Sequence, residues 1–381
     1  MRRRLGLLAG LLSLSLVAAG CSSDEKSGGE ILIGVNIEQS GAATVLGSAE
    51  LNAIRLITDD INRDGGVLGK QIRLVVKDNR SDPAESKRQV ETLVEQDKVV
   101  GIIGAGTTSA TMPFVDYVEQ KKVPTISMGA ADIIVAKRKY VFRTPPNGTS
   151  FVAVMMQDLA AANVKKIGLL AVDDQYGDNG LRAVEAGSRQ AGIKLVGTER
   201  FSPKATSYDA EVARLVAEKP DALLVAAIMP AAGKAAKAIT ASGFQGRVYF
   251  DGGAGAELFV AGAGKNAEGM FMVHSSILAA NQLTATTPSA LTQKEFFTKY
   301  TQKHSTFSGY ASYSADAMHL MAEAIKKAGS TDGQKIRDAL ESLSYDGLTG
   351  SFQFSASNHG GASGDGLTVL TVRNGGWVLA Q

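Results

Sequence analysis

Cysteine is all but missing from this chain of 381 residues: Cys21 stands alone. That excludes an intramolecular disulfide and any zinc site built from several cysteines. Histidine is scarce too, with His274, His304, His319 and His359 all in the last third and none at HExxH or HxH spacing. Neither a metal nor a cofactor is therefore expected. Charge of one sign is lacking, at 40 Lys and Arg against 38 Asp and Glu, so nucleic acid is not an expected partner. Catalytic signatures are absent or broken. No GxSxG elbow occurs. Gly264-Lys265 is followed by Asn266 where a phosphate-binding loop needs Ser or Thr, and Phe259 stands where it needs Gly. Gly104-Ala105-Gly106 is half of a dinucleotide fingerprint, with Ser109 in place of its third glycine. An enzyme is not expected.

What is present begins with an address. Arg2, Arg3 and Arg4 precede an apolar stretch over 5–17, and Ala18, Ala19 and Gly20 follow it. The stretch is shorter than the ~20 residues that a spanning helix needs, so 1–20 reads as a signal peptide. Small residues directly before Cys21 resemble a bacterial lipobox, which makes Cys21 the expected site of lipidation. Residues 21–29 are polar and rich in Gly and Ser, as a flexible tether is. The leader holds three of the basic residues and no acidic one, so the mature chain is close to neutral.

From residue 30 short apolar runs alternate with amphipathic ones. Strands are expected over 31–37, 72–78, 99–103, 123–127 and 140–144, with a helix over 46–62 stopped by Asp64-Gly65-Gly66. Asp82-Pro83-Ala84-Glu85 supplies a helix start. After Pro145-Pro146 the rhythm restarts, with strands over 166–172, 193–200, 221–227, 247–250 and 270–273 and a helix over 208–218. A helical region over 288–343 then precedes strands at 351–355 and 367–373. Two such blocks imply an α/β protein with two doubly wound parallel sheets. In the common 2-1-3-4-5 order, ligands bind at the carboxyl ends of the strands near the switch point. That nominates loops at 38–47, 104–109, 173–177 and 228–233, facing one another across a cleft. The hydroxyls of Thr107-Thr108-Ser109 at a helix start suit a carboxylate.

The pattern Ile61-Asn62-Arg63-Asp64-Gly65-Gly66-Val67-Leu68-Gly69, then Asp78 and Asp82-Pro83, resembles the Leu/Ile/Val-binding class of solute-binding proteins that serve ABC importers. Ser40-Gly41, Pro124-Thr125-Ile126-Ser127, Arg143-Thr144, Asp174-Gln175-Tyr176-Gly177, Glu268-Gly269-Met270 and Gly375-Gly376-Trp377 match as well. The resemblance covers essentially all of the mature chain. It implies the type I periplasmic binding protein fold: two lobes joined by a hinge of three crossovers. One lobe is expected over 30–144 with 275–349, and the other over 145–274 with 350–381.

The resemblance also implies the site. The ligand carboxylate would lie on Thr108 or Ser109 with Gly129 and Ala131, although Ala131 replaces a Thr of the family pattern. Tyr176 would pack on the ligand, Leu46 aligns with a covering aromatic of the first lobe, and Ile228–Met229 fills the place of a second Tyr. The acid that pairs with a ligand ammonium aligns beside Asp251. If Asp251 reaches the cleft, an amino acid fits. If it only caps the next helix, an amine-free aliphatic or aromatic acid fits better. The expected function is a monomeric, lipid-anchored extracytoplasmic binder that passes a small hydrophobic carboxylate to ABC permease subunits in the membrane, foremost a branched-chain or other aliphatic amino acid. A sensory module reporting to a membrane receptor needs the same cleft and stays open.

Overall fold

The computed structural model describes residues 29–380. The expected signal peptide, the expected lipidation site Cys21 and the expected tether up to residue 28 lie outside the described residues. The first sheet contains β1 (Ile31–Ile37), β2 (Ile72–Asp78), β3 (Gly101–Gly104), β4 (Thr125–Ser127) and β5 (Val141–Arg143), all parallel, in the order β2-β1-β3-β4-β5. This is the winding expected from the sequence. β1, β3, β4 and β5 lie almost wholly inside, which is why they read as unbroken apolar runs. β2 is an edge, and most of its residues are only half-buried accordingly.

The second sheet has the same parallel core in β6 (Lys166–Val172), β7 (Lys194–Phe201), β8 (Ala222–Ala226), β9 (Arg247–Phe250) and β10 (Phe271–Ser275). A two-stranded hairpin, β11 (Ser344–Asp346) with β12 (Ser351–Gln353), stands apart. β13 (Leu367–Arg373) and β14 (Gly376–Leu379) then add antiparallel strands beyond β10, giving β14-β13-β10-β9-β8-β6-β7. β14 is four residues of mixed burial around Trp377, too short for its alternation to declare a strand.

The chain therefore leaves the first sheet after β5, returns after β10 and departs again after β12: three crossovers between two lobes. Its return brings helices Pro288–His304, Gly309–Ala328 and Gly333–Glu341. The second of these packs along helix Thr44–Arg63 of the first lobe. It is buried on nearly every side, the mark of a helix wrapped by protein rather than one lying on a surface. Asp316 on this helix is fully buried and accepts from the amides of Leu348 and Thr349 at 2.8 and 3.0 Å and from the Thr349 hydroxyl at 2.7 Å. It thereby pins the turn between β11 and β12.

Two local devices aim the loops at the cleft. Asp174 caps helix Gln175–Ala191 by accepting from the amides of Tyr176 and Gly177 at 2.9 and 3.1 Å. Gly177 has no room for a Cβ, which would strike the Val172 carbonyl, so the helix start can sit directly on the end of β6. At the end of β5 the fully buried Arg143 reaches Ala130 O at 2.5 Å and Asp132 Oδ1 at 2.7 Å. It fixes the 129–132 loop beside the cleft.

Candidate functional site

Between the lobes lies a cavity of about 440 Å³, within the range of small-molecule sites. One wall is built from Leu46 and Glu50 on helix Thr44–Arg63, the turn at 106–109, Met128 and Ala130. The facing wall carries Phe151, Met155, Tyr176, Asn179, Ile228, Met229 and Asp251. Tyr310 and Tyr313, one turn apart on helix Gly309–Ala328, complete the lining. The surface is mainly apolar with a few polar groups converging on it.

Of the residues nominated from the sequence, Leu46, Thr108, Ser109, Tyr176, Met229 and Asp251 share this cavity. Gly129 and Ala131 stand behind it, and their neighbours Met128 and Ala130 line it instead. Their amides are already engaged: Gly129 N donates to Ser127 Oγ at 2.9 Å, and Ala131 N donates to Thr108 Oγ1 at 3.3 Å. The helix after the Thr/Ser turn is broken into Thr108–Thr111, a 3-10 turn Met112–Phe114 and Val115–Lys121, because Pro113 has no N–H to continue it. Thr107 caps the first piece, accepting from Ala110 N at 3.2 Å.

Asp251 does both things that the sequence left open. It caps the turn after β9, accepting from Gly253 N at 3.0 Å, and it lines the cavity beside Tyr176. Burial pushes its carboxyl up to about 7, against the opposing pull of the Tyr176 hydroxyl and two backbone amides.

The family described as "Periplasmic binding protein" matches residues 30–376. The chain belongs to that family. The "Leucine-, isoleucine-, valine-, threonine-, and alanine-binding protein" of Pseudomonas aeruginosa is 25% identical over 357 residues, 90% of each chain. An "extracellular ligand-binding receptor" from Rhodopseudomonas palustris HaA2 superposes with a TM-score of 0.86 at 26% identity, over 93% of this chain and all of that one. The branched-chain amino acid transporter substrate-binding protein LivJ from Streptococcus pneumoniae, solved with isoleucine, gives 0.80 at 26%, covering 92% and 98%. The resemblance to the Leu/Ile/Val-binding class and the two-lobe fold both hold.

This periplasmic binding protein also holds site residues that sequence reasoning passed over. Tyr310 accepts from Met229 N at 3.3 Å and donates to Gly253 O, so an aromatic does reach the 228–229 corner, supplied by a distant helix. Asn179 lines the cavity and accepts from Asp132 N at 3.1 Å. Glu38 accepts from Gly106 N at 3.1 Å, Thr107 N at 3.0 Å and Thr107 Oγ1 at 2.8 Å. Glu50 carried a legible signal: it is four residues after Leu46 and three before Ala53, an acid on an apolar helical stripe. Tyr310 carried none, since only the fold brings it to the cleft. Among the described residues no helix is long and apolar enough to cross a membrane.

Proposed function

We propose that this protein is the extracytoplasmic solute-binding component of an ABC importer, anchored through a lipid on Cys21, which captures a branched-chain or other aliphatic amino acid between its lobes. It hands the ligand to permease subunits in the membrane and carries out no chemistry on it. The lobes that close are 30–144 with the chain from 275 through the β11–β12 hairpin, and 145–274 with the residues after that hairpin.

The observation that carries the ligand class is Asp251. An acid on an apolar cavity wall, with no cation among the causes that shift it, is costly when ionised unless a partner arrives. A ligand ammonium is such a partner, and the pair is worth forming only where hydrogen bonds already hold the acid. Thr108 and Ser109 across the cavity offer hydroxyls to the carboxylate, while Leu46, Met128, Phe151 and Met229 suit a branched aliphatic side chain. The names of the relatives in P. aeruginosa and S. pneumoniae agree with this class.

The test is calorimetry on the leaderless chain with leucine and with isocaproate, the same skeleton without its amine. Leucine should bind at least about tenfold more tightly, the worth of one charge-assisted contact. Tighter binding of isocaproate would overturn the amino-acid assignment.

A further inference from the structure

The first-lobe wall contains a carboxyl pair that the ligand reading above does not use. Glu38, from the end of β1, and Glu50, from helix Thr44–Arg63, both come to Gly106. A Cβ on Gly106 would stand 3.0 Å from Glu38 Oε2 and closer still to Glu50 Oε2. Glu38 is fully buried and Glu50 is 1% exposed. The two acids are unequally served. Glu38 accepts from two amides and a hydroxyl. Glu50 Oε2 is buried without a hydrogen-bond partner, although Glu50 lines the cavity. The charged and titratable groups around Glu50 are Glu38 itself, Tyr300 from helix Pro288–His304, Tyr310 and, past Tyr310, Asp251. None is a cation.

Two buried carboxyls with no cation beside them cannot both carry charge at low cost. The member with three donors keeps the charge, and the member with none keeps the proton. We propose that Glu38 and Glu50 form a one-proton pair in which Glu50 stays a neutral carboxylic acid and presents its O–H to the cavity as a hydrogen-bond donor to a ligand oxygen. Burial, and the charge on Glu38, push the Glu50 carboxyl upward in support of this. Glu50 is thus a specificity-determining residue for ligands that place an acceptor against the first lobe. The step moves no proton to the ligand: binding replaces an unpartnered O–H by a hydrogen-bonded one. The role in recognition rests on the cavity being the ligand site; the shared proton does not.

Two measurements decide it. The infrared spectrum of the ligand-free leaderless chain at pH 7 should contain a protonated-carboxyl carbonyl stretch that disappears in Glu50→Gln. Asp251 and Asp316 are common to both proteins and cancel in the difference. With leucine as the probe, Glu50→Leu should weaken binding about tenfold, as loss of one buried hydrogen bond does, and Glu50→Gln should recover most of that because its amide still donates. An infrared difference without the band overturns the shared proton. Glu50→Gln as poor as Glu50→Leu overturns the donor role and makes Glu50 a charged partner. Should leucine not bind at all, the amino-acid reading fails, while the infrared result still judges the pair.

Discussion

The amide of Asp132 donates to Oδ1 of Asn179 at 3.1 Å, joining a loop of the first lobe to a helix of the second beside the ligand cavity. Asp132 is itself held by the buried Arg143, so the acceptor meets a donor already fixed in place. This bond exists only while the lobes are together. Asn179→Ala should therefore weaken leucine binding by about 3- to 10-fold, the worth of one such bond, with the change carried mainly by faster dissociation. Stopped-flow release kinetics would check it, and an unaltered release rate would remove the bond from the closing contacts.

Asp251 sets a pH dependence whose sign follows from its carboxyl lying at about 7 in the ligand-free cavity. An ammonium ligand selects the ionised acid. Leucine affinity should rise from pH 5 to pH 8, and at pH 6 it should be about tenfold below the plateau. Isocaproate selects the neutral acid and should weaken over the same range. Asp251→Asn should cost leucine roughly 2–4 kcal/mol and abolish the rise. Calorimetric titrations at five pH values check both limbs.

Gly106→Ala is expected to separate binding from folding. The new Cβ meets the far ends of Glu50 and Leu46, side chains that can swing away at modest cost. The melting temperature should fall only slightly, because no backbone atom is struck. Leucine binding should be lost, since both displaced side chains have only the cavity to enter. Thermal denaturation and calorimetry on one preparation would show the split.

Asp316→Ala should act in the opposite way. It leaves the amides of Leu348 and Thr349 and the Thr349 hydroxyl without their acceptor, all of them buried. A loss of roughly 2–4 kcal/mol is expected in urea denaturation, as befits several unsatisfied buried donors.

How far the sequence carried depended on whether a signal was local. β1, β2, β6 and β13 were readable to the residue because their apolar runs are bounded by turns or polar residues. The start at Asp82-Pro83 was readable because capping chemistry acts within one turn. β3 and β4 came out shorter than their apolar runs, since pairing with β1 and β5 ends before hydrophobicity does. In the cavity, Tyr176 and Asp251 were found from the resemblance to the Leu/Ile/Val-binding class, Tyr176 also lying in a loop nominated at the end of β6. Glu38 lies inside a loop that was nominated as a whole, with nothing local to show that its carboxyl turns back onto Gly106 and Thr107. Tyr310 and Tyr313 were out of reach for a different reason. They sit in a helix that follows the parallel strands of both sheets in sequence, and only the tertiary return of the chain brings them to the cleft.

That return has a mechanical result. Helix Gly309–Ala328 lies along the first lobe, yet its opening turn is fastened to the second: Gly309 N donates to Gly255 O at 2.7 Å, and Tyr310 engages both Met229 and Gly253. The same lining includes Ala42, Pro203 and Lys204, which face solvent. A cleft stitched at this corner can part only by breaking those bonds or by keeping the corner still while the rest of the lining moves.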